Sequence, residues 1–291
     1  MGVPLQARLD GARAAILGLP FDCGTDAQRI GSRQGPAAIR RESLLLRPFS
    51  PETGLDPLAA LGVVDLGDAP VQPGRIEASH AAIETAVQAV AAAGAVPLTL
   101  GGDGAIALPE MRGLHRVHPG LVTVHIDAHT DAYPIPGHNT ATAFARAVEE
   151  GVVDAAHSFQ IGMRGQTMVP GVYEHARALG YRLITMRQLL EGGIEAVFAE
   201  VRRALGDRPV YLCYDMDFFD PSVAPGVCTP TWGGASAREG LAALEGCGGL
   251  NIVGMNINTI SPPHDVGGMS AMLAAKVALD GLGLIARQHQ A

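Results

Sequence analysis

An apolar run passes directly into an acidic one in the segment Leu121-Val-Thr-Val-His-Ile-Asp-Ala-His-Thr-Asp131. The run Leu121–Ile126 is short, apolar and β-branched, a pattern typical of a strand buried in a parallel sheet. Asp127, His129 and Asp131 follow, and an extended backbone would point all three side chains the same way. The segment therefore predicts a buried strand whose carboxyl end carries a functional site, as is usual in parallel sheets.

The same alternation of apolar runs with helix-period segments continues along most of the chain. The predicted strands are Ala14-Gly18, Leu61-Leu66, Val96-Leu100, Leu121-Ile126, Ser158-Gly162, Arg182-Thr185, Val210-Tyr214 and Asn251-Met255. The predicted helices are Ser79-Ala93, Thr142-Glu150, Val172-Leu179, Met186-Leu205, Ser236-Leu244 and Gly268-Leu284. This order predicts one domain over residues 1–291, an α/β three-layer α/β/α sandwich with a mostly parallel sheet of about eight strands. An irregular segment from Pro20 to Gly54 is expected to lie over its surface.

A second acidic group follows the predicted strand Val210-Tyr214. It contains Asp215 and Asp217, with Asp220 a little further on. Any one such acid alone is commonly a helix cap or a turn residue. Two acidic groups at neighbouring strand ends, with an imidazole between the carboxylates, instead favour a pair of divalent metal ions, because carboxylates can bridge two cations.

Composition excludes several classes of protein. The 291 residues include 21 Lys+Arg against 29 Asp+Glu, a net charge of -8, and no basic run that could follow a nucleic acid backbone. The longest apolar stretches are interrupted well short of the roughly 20 residues of a membrane helix, so no membrane association is expected. The four cysteines form no CxxC pair, and no export signal is evident at the N-terminus, so we expect a cytoplasmic protein with reduced thiols.

Several motifs, in order along nearly the whole chain, resemble those of the ureohydrolases, the family of arginase, agmatinase and their relatives. They are Gly101-Gly-Asp103, Asp127-Ala-His-Thr-Asp131, Tyr214-Asp-Met-Asp-Phe-Phe-Asp-Pro221 and Ala224-Pro-Gly-Val-Cys-Thr-Pro230 followed by Gly233-Gly234. Three further segments resemble the agmatinase branch in particular: Gly18-Leu-Pro-Phe-Asp22, Gly31-Ser-Arg-Gln-Gly-Pro-Ala-Ala-Ile-Arg40, and Ile252-Val-Gly254 leading to Ser261-Pro-Pro263. The resemblance implies an arginase-like fold.

The resemblance also implies a binuclear manganese or nickel centre. Two such ions would lower the pKa of water and promote hydrolysis of a guanidinium compound to urea and an amine. By motif position, Asp127 and Asp215 would bridge the ions, Asp131 would bind the first ion, and His129 and Asp217 would bind the second.

Five positions depart from the family pattern: Val227 and Cys228 in the Ala224–Pro230 loop, and three that alter a functional role. Gly104 stands where the first motif normally has a histidine ligand of the first metal. Thr140 stands where a proton-shuttling histidine is expected, although His138 lies two residues earlier. Thr259 stands where a glutamate normally binds the guanidinium group, a strong charge-assisted contact.

The joint loss of a ligand, a shuttle and a substrate anchor predicts a subunit whose own site is impaired. Such a chain resembles the degenerate subunit of the heteromeric metformin (biguanide) hydrolases, and the resemblance implies a homologous catalytic ureohydrolase subunit as partner, in a hexamer. The alternative is an active hydrolase of a non-standard guanidino or amidine substrate, with His138 as the shuttle and Asp131 at the reacting centre. His125 and His264, near the same loops, are expected to be structural.

A third interpretation belongs to another class. Gly102-Asp-Gly-Ala-Ile-Ala107 follows a predicted strand and matches the GxGxxA form of a dinucleotide-binding loop, with Asp127 at a suitable distance for a ribose hydroxyl. A lone glycine pattern is a weak signal, and Pro109 shortens the helix that should follow it.

Overall fold

An eight-stranded, fully parallel sheet runs through the centre of the computed structural model, which describes residues 1–23, 27–72 and 74–290. Its strands are β1 (Ala14–Leu19), β2 (Val64–Asp68), β3 (Val96–Gly101), β4 (Val122–Ile126), β5 (Phe159–Met163), β6 (Arg182–Thr185), β7 (Val210–Asp215) and β8 (Ile252–Asn258). Their order across the sheet is β2-β1-β3-β8-β7-β4-β5-β6. The predicted α/β class and its eight parallel strands are confirmed.

Ten helices cover the two faces of this sheet. They are α1 (Gly35–Ser43), α2 (Pro57–Leu61), α3 (Ile76–Ala92), α4 (Ala107–His115), α5 (Ala143–Glu149), α6 (Val172–Ala178), α7 (Met186–Gly192), α8 (Ile194–Leu205), α9 (Ala237–Gly246) and α10 (Met269–Gln288) within the described ranges. Helices α3, α4 and α5 pack together on one face, and α10 packs on the other with α1, α2 and α9. Two large apolar clusters fill the space between the helices and the sheet.

Several predicted element boundaries were wrong, each for a local reason. The strand predicted to start at Leu61 starts at Val64, because Asp56 caps the short helix α2 and Gly62 ends it in a left-handed conformation. The single helix predicted over 186–205 is two helices, since Gly193 has a φ of 82°.

Three of the helices were not predicted: α1, α4 and the short helix α2. Helix α1 lies inside the segment expected to be irregular, and its buried Ile39 joins the core, so this segment is partly a packed layer; residues 24–26 of the segment lie outside the described ranges. Helix α4 tolerates Pro109 because proline in a first helical turn lacks only an amide that would be unpaired there anyway.

Helix α10 is long and apolar enough to match a membrane-spanning segment by length and composition. It is also 67% buried inside the protein over that stretch. It packs against α1, α2, α9 and strands β3 and β8. Burial in the core accounts for its apolar character.

One carboxyl group is buried beneath the sheet rather than at its edge. Glu110 of α4 is 1% exposed and accepts hydrogen bonds from the Tyr211 hydroxyl and from Asn256 Nδ2, the latter at 2.7 Å. Its second carboxylate oxygen has no partner among the described residues. Burial raises the pKa of Glu110 to about 7, because the ionised form cannot be solvated there.

We predict that Glu110→Gln stabilises the protein at alkaline pH. A carboxyl whose pKa is higher in the folded than in the unfolded state stabilises the fold fully below the unfolded value, and this contribution is lost as the pH rises through about 7. A tenfold change in proton affinity corresponds to about 1.4 kcal/mol, so a rise in pKa from 4.5 to about 7 gives a loss of about 3 to 4 kcal/mol. Glu110→Gln has no ionisable group at this position, so it does not undergo this loss of stability.

The measurement is thermal unfolding of both proteins with a chelator, from pH 5 to 8. The melting temperature of the wild type should fall relative to that of Glu110→Gln across this range. The exposed Glu200 on α8 provides a matched control, Glu200→Gln, which should track the wild type. A constant difference between Glu110→Gln and the wild type would contradict the prediction.

Candidate metal centre

Four carboxylates and two imidazoles converge where strands β4 and β7 end. Ile126 of β4 pairs with Tyr214 of β7, so the next residues, Asp127 and Asp215, lie side by side. Beyond this point neither backbone stays extended: Asp131 has a φ of 46°, and Met216–Phe218 form a 3-10 turn. The extended backbone on which the expected alternation of side chains depended is therefore absent, and the bends bring the acids together instead.

Besides a smaller group of His125, Cys213 and Asp215, the converging side chains form two overlapping groups that could each hold a metal ion. The first group is His125, Asp127, Asp131 and Asp215, and the second group is Asp127, His129 and Asp217. Within each group the ligand atoms lie within 4.8 Å of one another. Carboxylate oxygens and imidazole nitrogens are donors that suit divalent manganese or nickel. Asp127 belongs to both groups, as a bridging carboxylate would.

Burial and mutual repulsion perturb the carboxylates strongly. Burial, followed by the negative charge of Asp127, raises the pKa of Asp131 and of Asp215 well above the ordinary range, and raises that of Asp217 to about 6. Burial also acts to raise the pKa of Asp127, but hydrogen bonds from Asp215 and His125 outweigh it and hold this pKa low. The acids are therefore arranged to take up positive charge.

His129 shows the opposite balance. Burial lowers the pKa of its imidazole, but Asp217 and Asp127 outweigh burial and raise it well above the ordinary value. Its Nδ1 lies 3.3 Å from Asp127 Oδ1 and 3.4 Å from Asp217 Oδ2. The Nδ1 atom of His129 is thus in polar contact with both carboxylates.

A cavity of about 400 Å³ opens above these groups. Its lining includes Asp127, His129, Asp131, Asp215 and Asp217, together with Thr140 and Thr259 and the apolar or amide side chains of Ala27, Gln28, Tyr133, Ala141, Gln166 and Met168. The volume is sufficient for a small organic molecule. All five residues predicted to bind metal therefore face one cavity.

Gly104 adjoins the first group, as its motif position predicts. A Cβ atom placed on Gly104 would lie 2.8 Å from Asp131 Oδ2 and 2.8 Å from Thr140 Cγ2. A histidine at this position would thus begin beside Asp131. In this chain Thr140 occupies the adjoining space.

Thr259 also lies at the cavity beside the acids, as predicted. Its side chain forms hydrogen bonds with the backbone. Its Oγ1 accepts a hydrogen bond from Met216 N at 3.1 Å and donates one to Asn258 O at 2.7 Å. Its own amide and carbonyl bond to Gly102 and Cys228, which together hold a β-branched residue at a φ of 66°. The hydroxyl is therefore used in joining strand ends.

The structure does not bring His138 to the acidic groups. Its side chain is exposed, its ring lies 5.9 Å from that of His80, and it is not among the described residues that line the cavity. A shuttle role for His138 remains a prediction that needs a different arrangement of this loop.

His125, expected to be structural, lies inside the first group. Its Nε2 is 2.8 Å from Asp127 Oδ2 and 3.2 Å from Asp215 Oδ2, and its ring stacks on Phe144 with 4.0 Å between centroids. His264 instead contacts Ser261 Oγ through Nδ1 at 2.9 Å and joins neither group among the described residues. Alternation along β4 could have indicated that His125 shares a face with Asp127.

Two residues near the second group were missed from the sequence. His129 Nε2 lies 3.1 Å from Thr231 Oγ1, and Arg164 donates to the carbonyl oxygens of Asp217 at 2.6 Å and of Thr231 at 2.7 Å. Arg164 lies in none of the quoted motifs, and Thr231, between Pro230 and Gly233, is a threonine in a loop and gives no signal by itself.

The glycines of the dinucleotide-like pattern have packing roles. A Cβ on Gly102 would lie 2.7 Å from Leu19 O, and Asp103 binds the amide of Cys23 at 2.6 Å and that of Ala105 at 3.1 Å. Close approach of the β1 loop therefore requires Gly102. These packing contacts explain the glycine pattern without a bound dinucleotide phosphate.

A parallel three-layer α/β chain with two overlapping carboxylate and imidazole groups at its central strand ends is of the class that can hold two metal ions. The chain belongs to the arginase family: the family model described as "Arginase family" matches residues 12–283. The resemblance found in the motifs is thereby confirmed.

Sequence and structural similarity to known proteins supports the same family. The chain is 38% identical over 285 residues to mitochondrial guanidino acid hydrolase of Mus musculus, covering 97% of this chain and 79% of that protein. It is 38% identical over 295 residues to guanidinopropionase of Pseudomonas aeruginosa, covering 98% and 92%. The solved structure of proclavaminate amidino hydrolase from Streptomyces clavuligerus matches with a TM-score of 0.95 at 33% identity, covering 99% of this chain and 96% of that one.

We predict that Asp131→Asn stabilises the metal-free protein and weakens metal binding. The substitution removes one carboxylate from a crowded group, and asparagine tolerates the positive φ of this position. Above pH 8 in chelator, the melting temperature should rise by about 2 °C or more. The rise in melting temperature caused by added manganese or nickel should become smaller.

The exposed Asp207 provides the control, since Asp207→Asn should change neither quantity. A less stable metal-free Asp131→Asn protein, or an unchanged response to metal, would show that Asp131 does not take part in a charge-crowded metal group.

Proposed function

We propose that this chain is a subunit of a metal-dependent amidinohydrolase, which cleaves a guanidine- or biguanide-type compound to urea and an amine, and that its own site is impaired. The proposal is supported by membership of the arginase family and by relatives named for guanidino compounds. The metal would be manganese or nickel. It would supply Lewis-acid activation of water and of the guanidinium group.

One observation carries the impairment: position 104 offers no side chain to the first group. The second group has a complete set of two carboxylates and an imidazole that faces the cavity. The first group has three carboxylates and His125, but it lacks the imidazole that the family motif places at position 104. The two groups should therefore differ in metal affinity. If the first ion is lost, Asp127 and Asp215 no longer have two cations to bridge, which weakens binding of the second ion as well.

Two further residues, Thr259 and Thr140, would impair substrate binding and proton transfer. Thr259 has no charge and directs its hydroxyl to the backbone, so it provides no carboxylate for a guanidinium group. Thr140 carries no titratable group, and a hydroxyl does not exchange protons near neutral pH as an imidazole does. We infer that efficient turnover depends on a homologous catalytic ureohydrolase subunit, in a hexamer.

A protein partner is supported by apolar side chains on the surface. After helix α1, Leu44, Leu45 and Phe49 are 63%, 62% and 58% exposed. Three large apolar side chains so close in sequence favour a contact with another chain. We also propose a cytoplasmic location, which the four free cysteines support.

The geometry of His125 favours a second candidate, an active hydrolase of a non-standard guanidino or amidine substrate. His125 Nε2 already lies among the acids of the first group, where it could replace the missing imidazole. His138 would then be the shuttle. The two candidates differ in how many ions the isolated chain holds.

We predict that the chain expressed alone holds fewer than two ions and releases no urea. Elemental mass spectrometry after supply of manganese and nickel gives the ion count, and urea release is measured with agmatine, guanidinobutyrate and a biguanide. Two ions per chain with turnover on the order of 1 per second or faster would establish the active alternative. In that case His138→Ala would test the shuttle and His125→Asn the replacement ligand.

We predict that restoring the imidazole at position 104 also requires space beside it. A Cβ there would meet Thr140 Cγ2 at 2.8 Å, so Gly104→His with Thr140→Ala should increase the ion count, and Gly104→His alone should do so less. Thr140→Ala alone is the matched control and should leave the count unchanged. An unchanged count in the double variant would mean that Gly104 is not the cause of a missing ion.

A further inference from the structure

Arg164, directly after β5, uses its guanidinium group to bind main-chain carbonyl oxygens. Its guanidinium donates to the carbonyl oxygens of Asp217, Phe219 and Thr231, at 2.6, 3.2 and 2.7 Å. Within the part of the chain that the structure describes, it makes no ion pair with a carboxylate. A half-buried cation is costly unless its hydrogen bonds are satisfied, so these carbonyl oxygens define its role.

Arg164 therefore joins two loops. One is the turn after β7 that carries Asp217, and the other is the loop that carries Thr231. Its own amide binds Ala128 O at 2.9 Å, in the segment between Asp127 and His129. The three pieces of chain around the second group are thus fixed to one residue.

Glycines make room for this arrangement. A Cβ on Gly234 would lie 2.5 Å from Arg164 Nη2, and a Cβ on Gly165 would lie 2.5 Å from Thr231 Cγ2. Side chains at either position would displace the guanidinium or the threonine. The close packing is independent evidence that both residues have fixed positions.

Thr231 in turn contacts the imidazole of His129. Its Oγ1 lies 3.1 Å from His129 Nε2 and donates a longer hydrogen bond to Thr229 O at 3.4 Å, which leaves an oxygen lone pair to accept from Nε2–H. A proton on Nε2 leaves Nδ1 as the ligand atom, and Nδ1 is the nitrogen that faces Asp127 and Asp217. Such partners of a histidine ligand commonly set its orientation and tautomer.

We propose that Thr231 is a positioning residue for metal binding by the second group: its hydroxyl orients His129 with Nδ1 towards the carboxylates, and Arg164 holds Thr231 and Asp217 in place. The inference rests on the proposed metal dependence. It names the residues that keep the second group ready to bind an ion in a chain whose first group lacks a ligand.

The experiment titrates the full-length chain with Mn²⁺ by calorimetry. Thr231→Val keeps the shape but removes the hydroxyl, and should weaken Mn²⁺ binding about tenfold or more. Thr231→Ser should restore binding to within about threefold of the wild type, and Arg164→Lys should weaken it because one ammonium cannot reach the same carbonyl oxygens. Thr85→Val, an equivalent change on the exposed face of α3, should have no effect.

Magnetic resonance of the chain with ¹⁵N-labelled histidine separates this inference from the proposed function. In chelator, the wild type and Thr231→Ser should show a His129 Nε2–H proton protected from exchange, which is absent in His129→Asn and lost in Thr231→Val. Wild-type protein that binds no Mn²⁺ but shows this proton would contradict the metal dependence and leave the positioning role supported. Equal Mn²⁺ affinity of Thr231→Val and wild type, equal losses in the valine and serine variants, or no protected proton would overturn the inference.

Discussion

The crowding of negative charge at the carboxyl ends of β4 and β7 is the constraint on which the rest of the site depends. Asp127, Asp131, Asp215 and Asp217 are all at most 4% exposed and lie within reach of one another. Carboxylates placed in this way repel each other and lose hydration, so they are unstable neighbours unless protons, imidazoles or cations neutralise them. The surrounding structure is therefore built to hold them in place against repulsion.

Strand pairing and hydrogen bonds to main-chain groups hold these carboxylates in place. The parallel register places Asp127 beside Asp215, and buried hydrogen bonds from Thr259 tie the ends of β3, β7 and β8 together. Arg164 fixes the two loops on the other side, where it also adds a positive charge near Asp217. Hydroxyls and one arginine thus add to the contacts that His125 and His129 make with the acids.

The two groups of candidate metal ligands differ in the contacts that support them. In the second group, both ring nitrogens of His129 have a polar neighbour: Thr231 Oγ1 at 3.1 Å from Nε2 and Asp217 Oδ2 at 3.4 Å from Nδ1. In the first group, position 104 is empty of a side chain, and the only imidazole among the described residues of that group, His125, comes from within the sheet. This difference between the two groups is the basis of our proposal that the chain depends on a homologous subunit for turnover.

The sequence alone determined the eight parallel strands, the acids at their ends and the family, because strand periodicity and contiguous motifs are local signals. It also located Gly104, Thr140 and Thr259 beside those acids, since each is fixed by its distance from a motif. Only the tertiary structure decided the contacts of His125, Arg164 and Thr231, and the distance of His138 from the cavity. The physical reason is that these contacts join loops from strands distant in sequence, whose bends depend on single left-handed residues and turns that no periodic pattern specifies.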